Sequence, residues 1–154
     1  MALLSRYPLD DVRWHTDSNG DWPYVSARVQ SPKGDVQIVA IHPPPPMRPR
    51  HARSRNGVLR DSAQMLVGEG PRILLGDFNC TPWSPYFRRL RKATGLCDAA
   101  LGRGLVWTWY PTRLPLGIPI DHVLVSPDLA VADYQVGPNL GSDHRAVTVD
   151  LSFR

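Results

Sequence analysis

Arg72-Ile73-Leu74-Leu75-Gly76-Asp77-Phe78-Asn79 is the stretch on which the fold turns. A short, continuous apolar run flanked by turn-forming residues reads as a strand buried on both faces, the kind found in layered α/β proteins. It ends in Asp77 and Asn79, at a rim where a sheet holds polar side chains rigidly. An aspartate there offers a hard oxygen ligand to a divalent cation, and an amide beside it can hold a water or a phosphate oxygen.

Working outward, Gly68 and Gly70, with Pro71 just beyond, close a helix on the upstream side. That helix is expected to start near Ser54 and to turn Val58, Leu59, Ala63, Met65, Leu66 and Val67 toward a core. Residues 43–46 are four prolines, which keep the chain extended immediately after His42. Residues 35–42 form a strongly apolar strand. The turn Ser31-Pro32-Lys33-Gly34 joins it to residues 24–30, where Val25, Ala27 and Val29 alternate onto one face. Ala2-Leu3-Leu4-Ser5-Arg6 reads as a short strand that begins abruptly.

Downstream, residues 85–94 are a short helix closed by Gly95. Residues 106–110, 118–126, 130–136 and 145–153 are further strands. No repeat or linker interrupts the 154 residues, so residues 1–154 read as one α/β domain of eight or nine strands and two helices. The abundance of proline (16) and glycine (12) agrees with many short elements rather than a helical bundle.

The net charge of +4 comes almost wholly from arginine, the only lysines being Lys33 and Lys92. Guanidinium forks match phosphate geometry, so the balance suits a polyanionic partner, although a merely solvated basic surface has the same composition. Glu69 is the only glutamate, so any mechanism needing one must use it or borrow one. Cys80 and Cys97 are too few for a disulfide framework; spacing does not decide between one bridge and two half-buried thiols. No apolar run approaches the ~18–20 residues that span a bilayer. Met1-Ala2-Leu3-Leu4 breaks at once into Ser5-Arg6-Tyr7-Pro8, unlike a signal peptide, and localisation stays open between cytoplasm and export.

Two more polar clusters end apolar strands, Ile120-Asp121-His122-Val123-Leu124 and Gly141-Ser142-Asp143-His144-Arg145. Either alone is ordinary loop chemistry. With Gly76-Asp77-Phe78-Asn79 and His42 in this order, they bring oxygen ligands together with an imidazole able to take a proton from water. His122, next to Asp121 on a strand, should point to the opposite face and pack.

On these residues the chain resembles the endonuclease/exonuclease/phosphatase superfamily, the DNase I-like fold, over nearly its full length. The matching segments are Ser5-Arg6-Tyr7-Pro8-Leu9, Ile41-His42, Gly76-Asp77-Phe78-Asn79, Thr81-Pro82-Trp83, Thr108-Trp109, Pro119-Ile120-Asp121-His122-Val123 and Ser142-Asp143-His144. The resemblance implies a layered β-sandwich flanked by helices. It implies His144 as general base or phosphate-polarising histidine, with Asp121 fixing its tautomer. It further implies Asp77 orienting water or binding metal, Asn79 contacting the scissile phosphate, Asp143 as a metal ligand and His42 as a phosphate contact or acid. The cofactor would be Mg²⁺ or Mn²⁺.

The family's N-terminal asparagine and Gln-Glu ligand motifs have no counterpart here. Glu69 falls on the wrong side of the chain to replace the ligand and is read as structural. A truncated or minimal version of the fold is therefore expected, completed by a homodimer that covers the open sheet face.

The expected activity is a metal-dependent deoxyribonuclease of little sequence preference. Arg48, Arg50, Arg53 and Arg55 are candidate phosphate contacts, or else a solvated loop face. Trp83, Trp107 and Trp109 either stack on a base or sugar or fill core. Cys80 is read as incidental. The alternatives are a phosphatase or phospholipase on lipid or inositol phosphates, with Leu114-Pro115-Leu116-Gly117-Ile118 as its apolar loop, and an inactive nucleic-acid-binding remnant.

Overall fold

The structure is a computed structural model that describes residues 1–111 and 116–154. Among the described residues the strands are β1 (Leu9–Thr16), β2 (Pro23–Ser31), β3 (Gly34–Ile41), β4 (Arg72–Asp77), β5 (Cys97–Asp98), β6 (Asp121–Val125), β7 (Leu129–Val136) and β8 (Val147–Phe153). The helices are α1 (Pro49–Met65) and α2 (Pro85–Thr94). Six strands form one sheet in the order β1-β2-β3-β4-β6-β5, and β7 with β8 forms a two-stranded ribbon.

The β2–β3 hairpin closes at Ser31 and Gly34. The pair β3–β4 is parallel and needs a crossover, which α1 supplies. The pair β4–β6 is antiparallel and sets Asp77 directly opposite Asp121. Because side chains alternate along a strand, Ile73, Leu75 and Asp77 share a face with Val125, Val123 and Asp121.

The opposite face carries the main core. There Val39, Ile41, Leu74 and Leu124 pack against Val58, Leu59 and Ala63 from α1, Leu66 at its C-cap, and Phe87 and Leu90 from α2. On the Asp77 face, Val36, Ile38, Ile73, Val123 and Val125 meet Leu129, Val131, Leu151 and Phe153 from the ribbon. That second layer is thinner, and β8 alternates only between half-buried and exposed positions. A cleft of about 450 Å³ opens between the sheet and β8, with Ile73, Leu75, Val149 and Leu151 among its walls and Asp77 and Asp121 at one end.

Several sequence expectations are corrected. Residues 2–6 are not a strand; the edge strand is β1, whose Leu-Asp-Asp-Val-Arg-Trp-His-Thr is largely exposed and so leaves no burial period to read. Helix α1 starts at Pro49 rather than near Ser54, because proline at a first helical position costs nothing and Arg48 before it is extended. Val67 lies past the helix end and is 65% exposed instead of turning to the core. Residues 106–110 form no strand, only bridges from Trp109 to Ile118 and to His144. Helix α2 has the expected bounds, with Gly95 left-handed at its C-cap. Both cysteines are free, Cys80 buried and Cys97 exposed. Of the expected apolar loop, Leu114 and Pro115 lie outside the described residues.

Candidate active site

The site is assembled where β3 and β4 end and β6 begins. At the last turn of β4 the chain comes against β3 so tightly that a Cβ on Gly76 would stand 2.0 Å from the Ile41 carbonyl oxygen, at a φ of +134°. Only glycine permits that approach. It brings His42, the residue after β3, beside Asp77, with Nε2 to Oδ2 at 3.5 Å.

Asn79 adopts a left-handed conformation (φ 47°) that folds it back on Asp77. Its backbone N–H donates to Asp77 Oδ1 at 2.7 Å, and its Nδ2 donates to Asp77 Oδ2 at 3.0 Å and to the Pro43 carbonyl at 2.9 Å. The amide hydrogens expected to meet phosphate are therefore engaged in holding Asp77 and the polyproline segment. Burial pushes the Asp77 carboxyl above the usual aspartate range and the facing Asp121 adds to this. The Asn79 backbone N–H, His144 and His42 oppose it.

Across the sheet, Asp121 receives His144: Nδ1 lies 3.1 Å from Oδ1 and 3.0 Å from Oδ2. A carboxylate only accepts, so the proton sits on Nδ1 and Nε2 is left with its lone pair. One polar atom each of Asp77, Asp121 and His144 lie within 4.8 Å of one another.

Thr108 and Trp109 fix this group, a role that reading them as strand residues missed. The fully buried Thr108 Oγ1 accepts from the backbone N–H of Ile120 at 3.2 Å and of Asp121 at 3.1 Å. The Thr108 carbonyl accepts from Arg145 N at 2.6 Å. Trp109 Nε1 donates to Asp143 Oδ2 at 2.9 Å, which with its neighbours holds that carboxyl below the usual range. Asp143 thus stands outside the Asp77–Asp121–His144 group. The sequence signal for Thr108 was its place in the Thr-Trp segment.

The arginines divide. Arg55 is buried, donates to the Asn79 carbonyl at 2.8 Å and lies over the Tyr86 ring, so it braces the site from behind. Arg50 pairs with Asp21 at 2.8 Å. Arg48 stands at the N-cap position of α1, where its side chain makes no capping bond, and like Arg53 it is exposed.

His122 packs as expected, buried against Phe78 and Phe87 and donating from Nε2 to the Cys80 carbonyl at 2.9 Å. Burial drives the Cys80 thiol up to about 11, leaving it protonated and inert. Trp83 is 60% exposed rather than part of the core, while Trp107 and Trp109 are half-buried. Glu69 is exposed before β4, at the end of that strand remote from Asp77.

Two carboxylates facing each other across a strand pair, one of them partly desolvated, make a donor set suited to a hard divalent cation. The imidazole is already committed through Nδ1 to one of them.

Comparison with known proteins bears on the family and the fold. A family model described as Endonuclease/Exonuclease/phosphatase family matches residues 1–144. No curated protein matches the sequence. Among solved structures, an endonuclease/exonuclease/phosphatase from Beutenbergia cavernae superposes with a TM-score of 0.78 at 22% identity, over 97% of this chain and 46% of that one. A 3′ phosphatase from Neisseria, bound to a product DNA hairpin, gives 0.76 at 22% identity over 97% and 73%. An AP endonuclease from Archaeoglobus fulgidus gives 0.73 at 16% identity over 97% and 72%. The chain thus spans about half the length of the Beutenbergia protein, and at these identities the likeness is one of fold.

Proposed function

The chain belongs to the endonuclease/exonuclease/phosphatase family, and from that premise we propose that it hydrolyses phosphodiester bonds with a divalent metal ion, DNA being the substrate. The observation that carries the reading is the convergence of Asp77, Asp121 and His144 within 4.8 Å at one rim of the sheet.

Asp77 and Asp121 would hold Mg²⁺ or Mn²⁺, with Asp143 in a weaker, outer contact. When bound, the ion would draw charge from the phosphate oxygens. His144, its tautomer fixed by Asp121, presents Nε2 to take a proton from the attacking water. Asp77 orients that water, and Asn79 keeps Asp77 in place. As the water oxygen bonds to phosphorus and the bond to the leaving oxygen breaks, His42 gives its own proton to that oxygen. The proton taken by His144 then passes to solvent and His42 regains one from solvent, which closes the cycle. Arg48 and Arg53 supply backbone phosphate contacts, which confer affinity without sequence preference.

Plasmid cleavage by the purified chain with Mg²⁺, with Mn²⁺ and with EDTA tests this. Cleavage should require metal and disappear in His144→Ala. Asp121→Asn, which leaves the shape intact but frees the imidazole tautomer, should lose roughly a thousandfold or more. Metal-independent cleavage, or full activity in His144→Ala, would refute the mechanism.

A second reading is hydrolysis of lipid or inositol phosphates. It is favoured by the exposure of Leu116 (59%) in the expected apolar loop and of Leu101 and Leu105 in the loop after β5. DNA cleavage should weaken steeply with salt as phosphate contacts are screened, whereas lipid phosphate hydrolysis should not.

The homodimer belongs to the same proposal. The ribbon has only two strands, and β8 turns Val147, Val149, Leu151 and Phe153, all half-buried, toward the thinly covered sheet face. A second copy would pair along β8 and cover that face. Sedimentation at micromolar concentration should give a dimer, and a monomer there would exclude it.

A further inference from the structure

A smaller pocket of about 220 Å³, which shares Asp121 and His122 with the cleft, opens between the loop that joins β4 to α2 and the loop that follows β5. Its walls are apolar: Pro82, Trp83, Leu101 and Leu105. Its inner end is polar, formed by Asp98, Tyr134 and His122. Apart from Asp121, which also lines the pocket, no step of the hydrolysis uses these residues.

The inner end is rich in acceptors. Asp98 is 9% exposed and accepts from Ala100 N through Oδ1 at 3.0 Å, which leaves Oδ2 as an acceptor. His122 donates from Nε2 to the Cys80 carbonyl and keeps its lone pair on Nδ1. No lysine or arginine lines this pocket among the described residues. A phosphate is therefore unwelcome in it, although it lies next to the residues assigned to phosphate chemistry.

The outer end offers Trp83, a broad aromatic face that is 60% exposed at the rim. Trp83 is held there by its place ahead of Ser84, the N-cap of α2. An exposed indole at a pocket rim offers a face on which a base can stack. A space this small takes one ring system rather than a drug-sized ligand.

From this juxtaposition we infer that the pocket receives the nucleobase adjacent to the scissile phosphate, and that it favours bases carrying an exocyclic amino group. Trp83 stacks on the base, and the Asp98 carboxylate accepts from the amino group. Among the described residues that line the pocket, Trp83 is the one exposed aromatic, Tyr134 and His122 being buried, so the several-sided aromatic cage that a quaternary ammonium group requires is not formed by them. The inference rests on the nucleic-acid reading above and refines it: selectivity is confined to one nucleotide, while the arginine contacts stay indifferent to sequence.

Binding of the four deoxynucleoside 5′-monophosphates to the whole chain, measured by calorimetry in EDTA, tests the pocket without catalysis. The nucleotides of adenine, cytosine and guanine should bind about tenfold more tightly than that of thymine, which has no amino group. Trp83→Ala, at an exposed position, should weaken all four roughly tenfold. In Asp98→Asn the amide oxygen still serves Ala100 N, and amide hydrogens replace the free acceptor. The gap to the thymine nucleotide should then close or reverse, which a merely structural Asp98 would not produce.

Equal binding of all four by the native chain would overturn the inference, as would unchanged binding in Trp83→Ala or tighter binding of phosphocholine than of any nucleotide. The two readings fail separately. Base selectivity without metal-dependent plasmid cleavage sinks the enzyme reading alone, and cleavage without selectivity sinks the pocket alone.

Discussion

Asp77 carries a charge that its surroundings disfavour. Burial first, and the facing Asp121 second, hold its carboxyl above the ordinary range. Its folded pKa therefore exceeds its unfolded one, and between the two values the folded state binds the extra proton. Stability must then fall as pH rises through that window. Urea titrations in EDTA should show a decline from about pH 4 upward that is absent in Asp77→Ala; parallel profiles for the two proteins would refute it. Gly76 makes a second demand. Gly76→Ala would drive a methyl into the Ile41 carbonyl and oppose the β3–β4 pairing, at a cost of roughly 3–5 kcal/mol, read as a lowered melting temperature. At this scale the sequence offered candidates and was silent about their mutual engagement. His42 and Asp77, where β3 and β4 end, Asp121, where β6 begins, and His144, ahead of β8, could be named as candidates because each stands in a polar cluster at the margin of an apolar run. That the Asn79 amide turns inward to Asp77 and Pro43 was not, because it depends on a left-handed φ that asparagine merely tolerates.

Helix α1 is joined to β4 by a buried cation. Arg72, 6% exposed, donates to the carbonyls of Leu66, just past α1, and Gly70, while its backbone N–H donates to Ser126 Oγ at 3.1 Å. Carbonyls at a helix C-terminus are unpaired and carry partial negative charge, so the guanidinium satisfies them and is itself satisfied. Arg72→Met should cost roughly 2–3 kcal/mol by stranding those carbonyls, a loss of about 5–10 °C in thermal unfolding. An unchanged melt would mean that water serves the carbonyls equally well. Elements with strong punctuation were readable: α2 lies between Pro85 and Gly95 as expected. Those without it were not. Edge strand β1 is polar, exposed and bulged between Asp10 and Arg13, which hides it from any hydrophobic pattern and also blunts it against pairing with other chains.

On the scale of the whole chain, the two faces of the sheet are unequal. The helical face is a filled core, while the ribbon face is half covered and opens into the cleft that ends at Asp77 and Asp121. The layered α/β architecture was evident from the strand and helix pattern together with the family motifs. Which strands form the separate ribbon was not, since β7 and β8 have the same short apolar alternation as strands of the main sheet.

The order of those pairings also has a temporal side. The hairpin β2–β3 and the ribbon β7–β8 join neighbours in sequence and can form early. Asp77 and Asp121 meet only when β4 finds β6 across α2, β5 and a long loop, and closing so distant a contact is slow. In a refolding experiment, cleavage should return with the slowest kinetic phase and trail the recovery of secondary structure; simultaneous recovery would contradict this. A chain still emerging from the ribosome would then hold each half of its chemistry separately, unable to cut anything until folding is complete.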